Sequence, residues 1–341
     1  MPTSKCLSLV LAAVLPACLA GAAQAQTRAE TSDLDRYPLD RVQLAGSHNT
    51  YDKKDVYEYL SDALRDVQMI EIDAWTNLGS WRVSHSNPLA NINNCPKGGQ
   101  PGNDRNQDLR SCLDTIASYH RNTPGHPLVL VKLEMKNGFG TNTQPADLDE
   151  MIANLSENGL RARIPESDIF TPLKLMCRDS ACGSRYATPA EALANKPWPT
   201  LGELRGKVMF LIVPGTVSDS GPRDYAAALA SGKARLAFPM LIVKDTTTDP
   251  TAGYYGGNAG WNVAYDVQAG RLDSGAIPRS LVQSWTGRRF LLSVNDDKPG
   301  GDGADVATGR ARLHQLARDY HANLVNTDQE HTGIPASFAI P

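Results

Sequence analysis

The feature that most constrains this 341-residue chain is a repeated change of hydrophobic period along its length. Short apolar runs rich in β-branched residues recur at residues 42–45, 69–75, 128–135, 208–213, 239–244, 290–295 and 322–326. Between many of them the period lengthens to that of a helix, as in Val56, Leu60, Leu64 and Val67, or Leu109, Cys112, Leu113 and Ile116. Strands that alternate with helices are the mark of a parallel sheet, because a parallel partner is reached only through a crossover connection. Seven such runs, with an eighth expected at Ile169 and Phe170, predict an α/β fold, a (β/α) TIM-type barrel forming a single domain over residues 26–341. No glycine-rich dinucleotide fingerprint follows any of these strands, which removes the commonest reason to prefer an open doubly wound sheet. The glycine-rich stretches 253–260 and 300–303 read as surface loops, and Thr188-Pro189-Ala190-Glu191 and Thr200 with Glu203 read as helix starts.

The first residues stand outside this pattern. Lys5 precedes an apolar run at 7–20 that is too short to span a membrane, and Ala23-Gln24-Ala25 is a small-x-small cleavage site, so residues 1–25 are expected to be a signal peptide and the mature chain secreted or periplasmic. A lipoprotein box at Leu15-Pro16-Ala17-Cys18 is the lesser reading, because proline sits awkwardly in it. Export leaves Cys95, Cys112, Cys177 and Cys182, an even number in a compartment that permits disulfides. Of the three pairings, Cys95 with Cys112 and Cys177 with Cys182 is preferred, since each closes a short local loop without crossing the barrel core. Thirty-four basic against 37 acidic residues give a net charge of −3, which excludes the general attraction to phosphate polymers that a nucleic-acid-binding chain needs. A monomer is expected, with at most transient contact to a membrane surface. Tyr254, Tyr255 and Trp261 are the aromatic candidates for that contact, although packing on the barrel is their preferred place.

Polar residues interrupt the strands at particular points. The first strand runs into Gly46-Ser47-His48-Asn49-Thr50. In Ile70-Glu71-Ile72-Asp73-Ala74-Trp75, period-two alternation puts Glu71, Asp73 and Trp75 on one face. Two carboxylates so close at the end of a barrel strand repel one another unless a cation or protons neutralise them. The next strand adds Leu133-Glu134-Met135, and Val83-Ser84-His85-Ser86 lies between the two. Taken singly each is ordinary. Glu134 between Lys132 and Lys136 also reads as a charge ladder on an exposed edge, and His120, His126, His314, His321 and His331 read as surface or satisfied core residues. Jointly, acids and histidines at the C-terminal ends of the first strands fall where a barrel of this type carries its active site.

Gly46-Ser47-His48-Asn49-Thr50-Tyr51, Glu71-Ile72-Asp73-Ala74-Trp75, Val83-Ser84-His85, Leu133-Glu134-Met135-Lys136 and the stretch from Trp198 to Lys207 resemble, as an ordered set, the calcium-dependent phosphatidylinositol-specific phospholipase C superfamily in its small secreted bacterial form. The resemblance implies a phosphodiesterase in which His48 and His85 are catalytic and Asn49, Glu71, Asp73 and Glu134 are metal ligands. Three carboxylates and an amide carbonyl are hard oxygen donors, which makes Ca2+ the first choice of ion and Mg2+ the second. Such an ion would favour attack of a neighbouring sugar hydroxyl on phosphorus, with His85 as general acid, His48 stabilising the charged phosphorane, and Glu71, Glu134 or His48 as base. Lys132, on the same strand face as Glu134, is a candidate phosphate contact. The substrate implied is a phosphoinositide or related phosphodiester. Where the family carries a basic stretch on its seventh strand, this chain has Leu291-Leu292-Ser293-Val294-Asn295-Asp296-Asp297. Two other readings compete: a glycerophosphodiester phosphodiesterase, whose usual His-Arg-Gly opening is missing here, and a non-catalytic secreted barrel that binds sugar phosphates.

Overall fold

A computed structural model of the chain describes residues 33–89, 93–153 and 164–341; the expected signal peptide, residues 1–25, lies outside them. The strands are β1 (Val42–Ser47), β2 (Met69–Asn77), β3 (Ser80–Val83), β4 (Val129–Met135), β5 (Val208–Pro214), β6 (Ala237–Pro239), β7 (Leu241–Ile242), β8 (Ala264–Gln268), β9 (Leu291–Asn295), β10 (Leu324–Thr327) and β11 (Phe338–Ala339). Nine of them follow one another as β6-β5-β4-β2-β1-β10-β9-β8-β7, every pair parallel. β6 and β7 are two pieces of one run parted by Met240, whose N–H donates to the Ile212 carbonyl at 2.8 Å. That run touches β5 on one side and β8 on the other, so the path returns to its start. Counted as one, it makes eight parallel strands, the number at which inward side chains fill the lumen.

Helices such as Leu60–Asp66, Leu109–Asn122, Gly221–Ala230, Arg279–Thr286 and Val306–Tyr320 provide the crossovers and cover the outer face of the sheet. With both faces covered, β1 and β5 are buried along their whole length. Gly46 in β1 is required by the closeness of its neighbours: a Cβ there would lie 2.5 Å from Met69 Cε and 2.7 Å from Asn326 Oδ1. The expected caps form. Thr188 Oγ1 accepts from the Glu191 N–H at 3.2 Å, and Thr200 and Glu203 bond each other's backbone N–H, although the latter pair closes a turn before β5 and not a regular helix.

Three expectations are corrected. The eighth strand is not at Ile169 and Phe170, where a single bridge joins Ile169 to Val208; it is β8, whose central Asp266 breaks the apolar run. Residues 253–260 are not a surface loop but parts of a short helix, Thr251–Tyr255, and a 3-10 turn, Gly256–Trp261. They are drawn in by Tyr255 and Trp261, both buried against the barrel, which is the preferred place for these aromatics. Glu134 does not lie on an exposed edge, because β4 is flanked by β2 and β5 and its lysines are buried.

Both preferred disulfides are present, Cys95–Cys112 and Cys177–Cys182. The first ties the segment after His85 to the helix Leu109–Asn122 across 17 residues of chain. Closing a loop of that length constrains the unfolded state by about 3 kcal/mol. The double variant C95S/C112S is therefore expected to unfold at lower urea, with a loss of about that size by linear extrapolation; an unchanged midpoint would show that the segment is anchored by other contacts.

Candidate active site and metal centre

The site begins where β1 ends. Asn49 takes up a left-handed conformation (φ 50°), which asparagine tolerates better than most residues, and the turn aims its backbone N–H at Glu71 Oε2, 3.0 Å away. Thr50 fixes the same turn from inside. Its hydroxyl donates to the Ser47 carbonyl at 2.9 Å and accepts from the Glu71 N–H at 3.0 Å. Tyr51, fully buried, donates to Asp73 Oδ2 at 2.8 Å. The loop from β1 thus grips both acids of β2.

Across the β2–β4 ladder Lys132 stands opposite Glu71, and Glu134 stands opposite Asp73. All four side chains lie on one face, and carboxylate oxygens of Glu71, Asp73 and Glu134 come within 4.8 Å of one another. The lysines answer this crowding in two layers. Lys132 Nζ lies 3.0 Å from Glu71 Oε1, 3.2 Å from Asp266 Oδ2 and 3.3 Å from Asn295 Oδ1. Lys136 Nζ lies 3.0 Å from Asp73 Oδ2 and 2.9 Å from Glu134 Oε1. Burial would raise the Glu71 pKa, but Lys132, His48 and the Asn49 N–H outweigh it and hold the carboxyl below its ordinary value. Asp73 goes the other way: burial and the charges of Glu134 and Glu71 push it up to about 8, more than Lys136 takes back.

His48 sits beside this pair of layers, with Nε2 3.8 Å from Glu71 Oε2 and 3.2 Å from Asn49 Nδ2. Its Nδ1 lies 3.3 Å from both Asp297 and Asp328, which follow β9 and β10. Burial lowers the imidazole's pKa, but the hydrogen bond to Asp328 and the charges of Glu71, Asp328 and Asp297 more than reverse this and raise it to about 9. Asp328, bonded by His48 and Lys53 against the cost of burial, falls to about 2. His85 comes from the opposite side, half exposed, with Nδ1 3.3 Å from Asp73 Oδ2.

The fold therefore gathers His48, His85, Asn49, Glu71, Asp73, Glu134 and Lys132 at or just below one mouth of the barrel. Sequence reasoning did not single out Tyr51, Asp266 or Asp297, nor the part played by Lys136 and Asp328. Asp266 carried a signal, since Ala264-Tyr265-Asp266-Val267 repeats the acid-in-apolar-strand pattern of β2. Asn326-Thr327-Asp328 keeps the Thr-Asp ending that the family resemblance implies for the last strand, a sign of fold and not of a partner for His48, while Asp297 looks like a solvated loop residue until the barrel closes.

The family model of calcium-dependent phosphoinositide phospholipase C matches residues 103–271. A calcium-dependent phosphatidylinositol-specific phospholipase C from Streptomyces antibioticus is 30% identical, with a TM-score of 0.73 over 89% of this chain and 98% of that one. This chain belongs to the calcium-dependent phosphatidylinositol-specific phospholipase C family. A calcium-dependent phosphoinositol-specific phospholipase C from a Pseudomonas species, 22% identical, shares the fold with a TM-score of 0.65 over 90% of this chain and 97% of that one. No curated protein matches.

The family implies a calcium ion, and the donors here fit one. Three hard carboxylates converge, and Asp73 keeps its second oxygen, Oδ1, buried without a hydrogen-bond partner. In the metal-free protein, His48 is expected to titrate near pH 9 by histidine-ring NMR, and D328N is expected to lower that midpoint. Because the folded value lies above the ordinary 6.5, the stability this group contributes is full below about pH 6.5 and is lost as pH rises through about 9. A wild-type midpoint near 6.5 would contradict the carboxylate clamp.

Proposed function

We propose that the chain is a secreted, calcium-dependent phosphodiesterase that cleaves a phosphatidylinositol-like substrate by attack of a neighbouring headgroup hydroxyl. The observation that carries this reading is the convergence of Glu71, Asp73 and Glu134 between two histidines at the C-terminal mouth of the barrel. We assign Glu71, Asp73, Glu134 and Asn49 to hold the ion, which when bound supplies positive charge beside the phosphodiester and makes the attacking hydroxyl more acidic. In the metal-free protein, against burial, the bond to Asp328 and the charges of Glu71, Asp328 and Asp297 raise His48 to about 9, which suits it to stabilise negative charge on phosphorus more than to take a proton. The base then falls to a carboxylate, Glu71 or Glu134. His85, oriented through Nδ1 by Asp73, has its other nitrogen to protonate the departing oxygen. Lys132 changes role from the sequence expectation: two carboxylates already hold its buried ammonium, so we assign it to fixing Glu71 and not to direct contact with phosphate.

The large apolar side chains that the described residues expose favour a lipid source for the substrate. Leu78, 96% exposed and in a left-handed conformation (φ 51°), forms the tip of the β2–β3 hairpin. Leu89 follows His85, Val217 follows β5, and Val306 opens the helix after β9, so all four belong to the end of the barrel that carries the site. Apolar groups held out in water around an active site suit a lipid surface, where each leucine gains about 1.5–3 kcal/mol on full burial.

The H85A variant is expected to lose 100-fold or more in kcat/KM on a soluble inositol phosphodiester, on the order of a removed general acid, with calcium affinity by calorimetry unchanged. Excess chelator should abolish wild-type turnover and calcium restore it; full activity in chelator would sink the metal-dependent reading. L78S/L89S is expected to weaken binding to phosphatidylinositol vesicles and vesicle hydrolysis by about tenfold or more, leaving turnover of the soluble substrate intact. Equal loss on both substrates would mean that the rim supports the site and not the lipid contact.

A further inference from the structure

The two buried lysines of the site are not equivalent. Lys132 touches Glu71 through Oε1 and has Asp266 and Asn295 as further partners, so it keeps two of them whatever happens at the mouth. The carboxylates that hold Lys136 are Asp73 and Glu134, and both are assigned above to the ion. Its backbone cannot follow the side chain elsewhere. The Lys136 N–H donates to the Ala74 carbonyl at 2.9 Å, and its carbonyl accepts from Val217 at 2.9 Å and Ser218 at 3.1 Å. Gly215 packs on the same backbone so closely that a Cβ would lie 2.4 Å from Lys136 Cα. The ammonium is thus tethered beside the three acids, free to move only through its own side-chain torsions.

We propose that Lys136 is a built-in competitor of the divalent cation. In the metal-free protein its ammonium neutralises Asp73 and Glu134, and filling the site requires it to give up at least one of them, so Lys136 sets the calcium concentration at which the enzyme loads. This rests on the reading of Glu71, Asp73 and Glu134 as metal ligands. It extends that reading by making the threshold, and not only the site, a property of the sequence Glu134-Met135-Lys136. A cation two residues along the strand from a ligand stabilises an empty cage that its acids alone would force apart. It does so by opposing the ion the cage is built for.

Calcium calorimetry on the full mature chain, freed of metal, tests this with K136M, K136R and D73N. K136M is expected to bind calcium about tenfold or more tightly than wild type, one unit of like charge having been removed at close range. K136R, which keeps the charge, is expected to bind no more tightly than wild type, and D73N to lose binding in either background. A folded K136M of equal or weaker affinity overturns the proposal while leaving the metal site standing. No binding by wild type and K136M alike overturns both. Should K136M fail to fold, lysine side-chain 15N NMR of the wild type decides: the Lys136 ammonium signal is expected to shift on calcium titration while that of Lys132 stays, and two unmoved signals through saturation refute the competition.

Discussion

Glu134 faces Asp73 across adjacent parallel strands with Glu71 alongside, and the architecture of the upper barrel is an answer to the repulsion among those three acids. Like charges opposed in a sheet destabilise it, and burial magnifies the effect. The remedy lies on the same strand. Lys132, two residues before Glu134, and Lys136, two after it and the first residue beyond β4, both reach its face and enter the cluster. One strand thereby carries both a charge and the counter-charges of its neighbours, and the crossovers are left free to bring the histidines.

The two lysines divide the lumen into layers with different duties. The deeper one, Lys132 with Glu71, Asp266 and Asn295, continues through Asn295 to Asn326, whose Nδ2 donates to Asn295 Oδ1 at 2.6 Å. It links β2, β4, β8, β9 and β10 in one polar network, and removing a single partner from such a network costs about 3–5 kcal/mol by stranding a charge. The shallower layer, Asp73, Glu134 and Lys136, is open to His85 and to whatever enters the mouth. Rigidity below and exchangeable charge above is the order a binding site needs, because the carboxylates must be positioned before an ion or a substrate arrives.

The alternation was legible for seven of the eight strands because it is written in period and composition, which neighbouring residues determine. The acids of β2 and β4 were legible for a related reason: a charged residue inside an apolar strand is costly and therefore conspicuous, and alternation states which face it shares. β8 escaped because five residues with a central aspartate satisfy neither template, and the segment before it looked like a glycine-rich loop until Tyr255 and Trp261 were seen to bury themselves. The clamp on His48 was illegible in principle. Asp297 and Asp328 meet only because β9 and β10 are neighbours and His48 follows the next strand, β1, so their meaning resides in barrel closure.

Barrel closure also explains why this chain dispenses with the basic stretch that the family resemblance leads one to expect on β9. Asn295 is held there by Lys132, Asp266 and Asn326, and Ser293 accepts from Asn326 at 3.3 Å, so both positions face the lumen network. A guanidinium at Asn295 would bring a second cation against Lys132 with only Asp266 between them. The cation in this layer comes from β4, where Lys132 pairs with Glu71 and Asp266. Beyond it Asp297 and Asp328 stand around His48 at the mouth, and Lys53 pairs with Asp328 from the loop after β1.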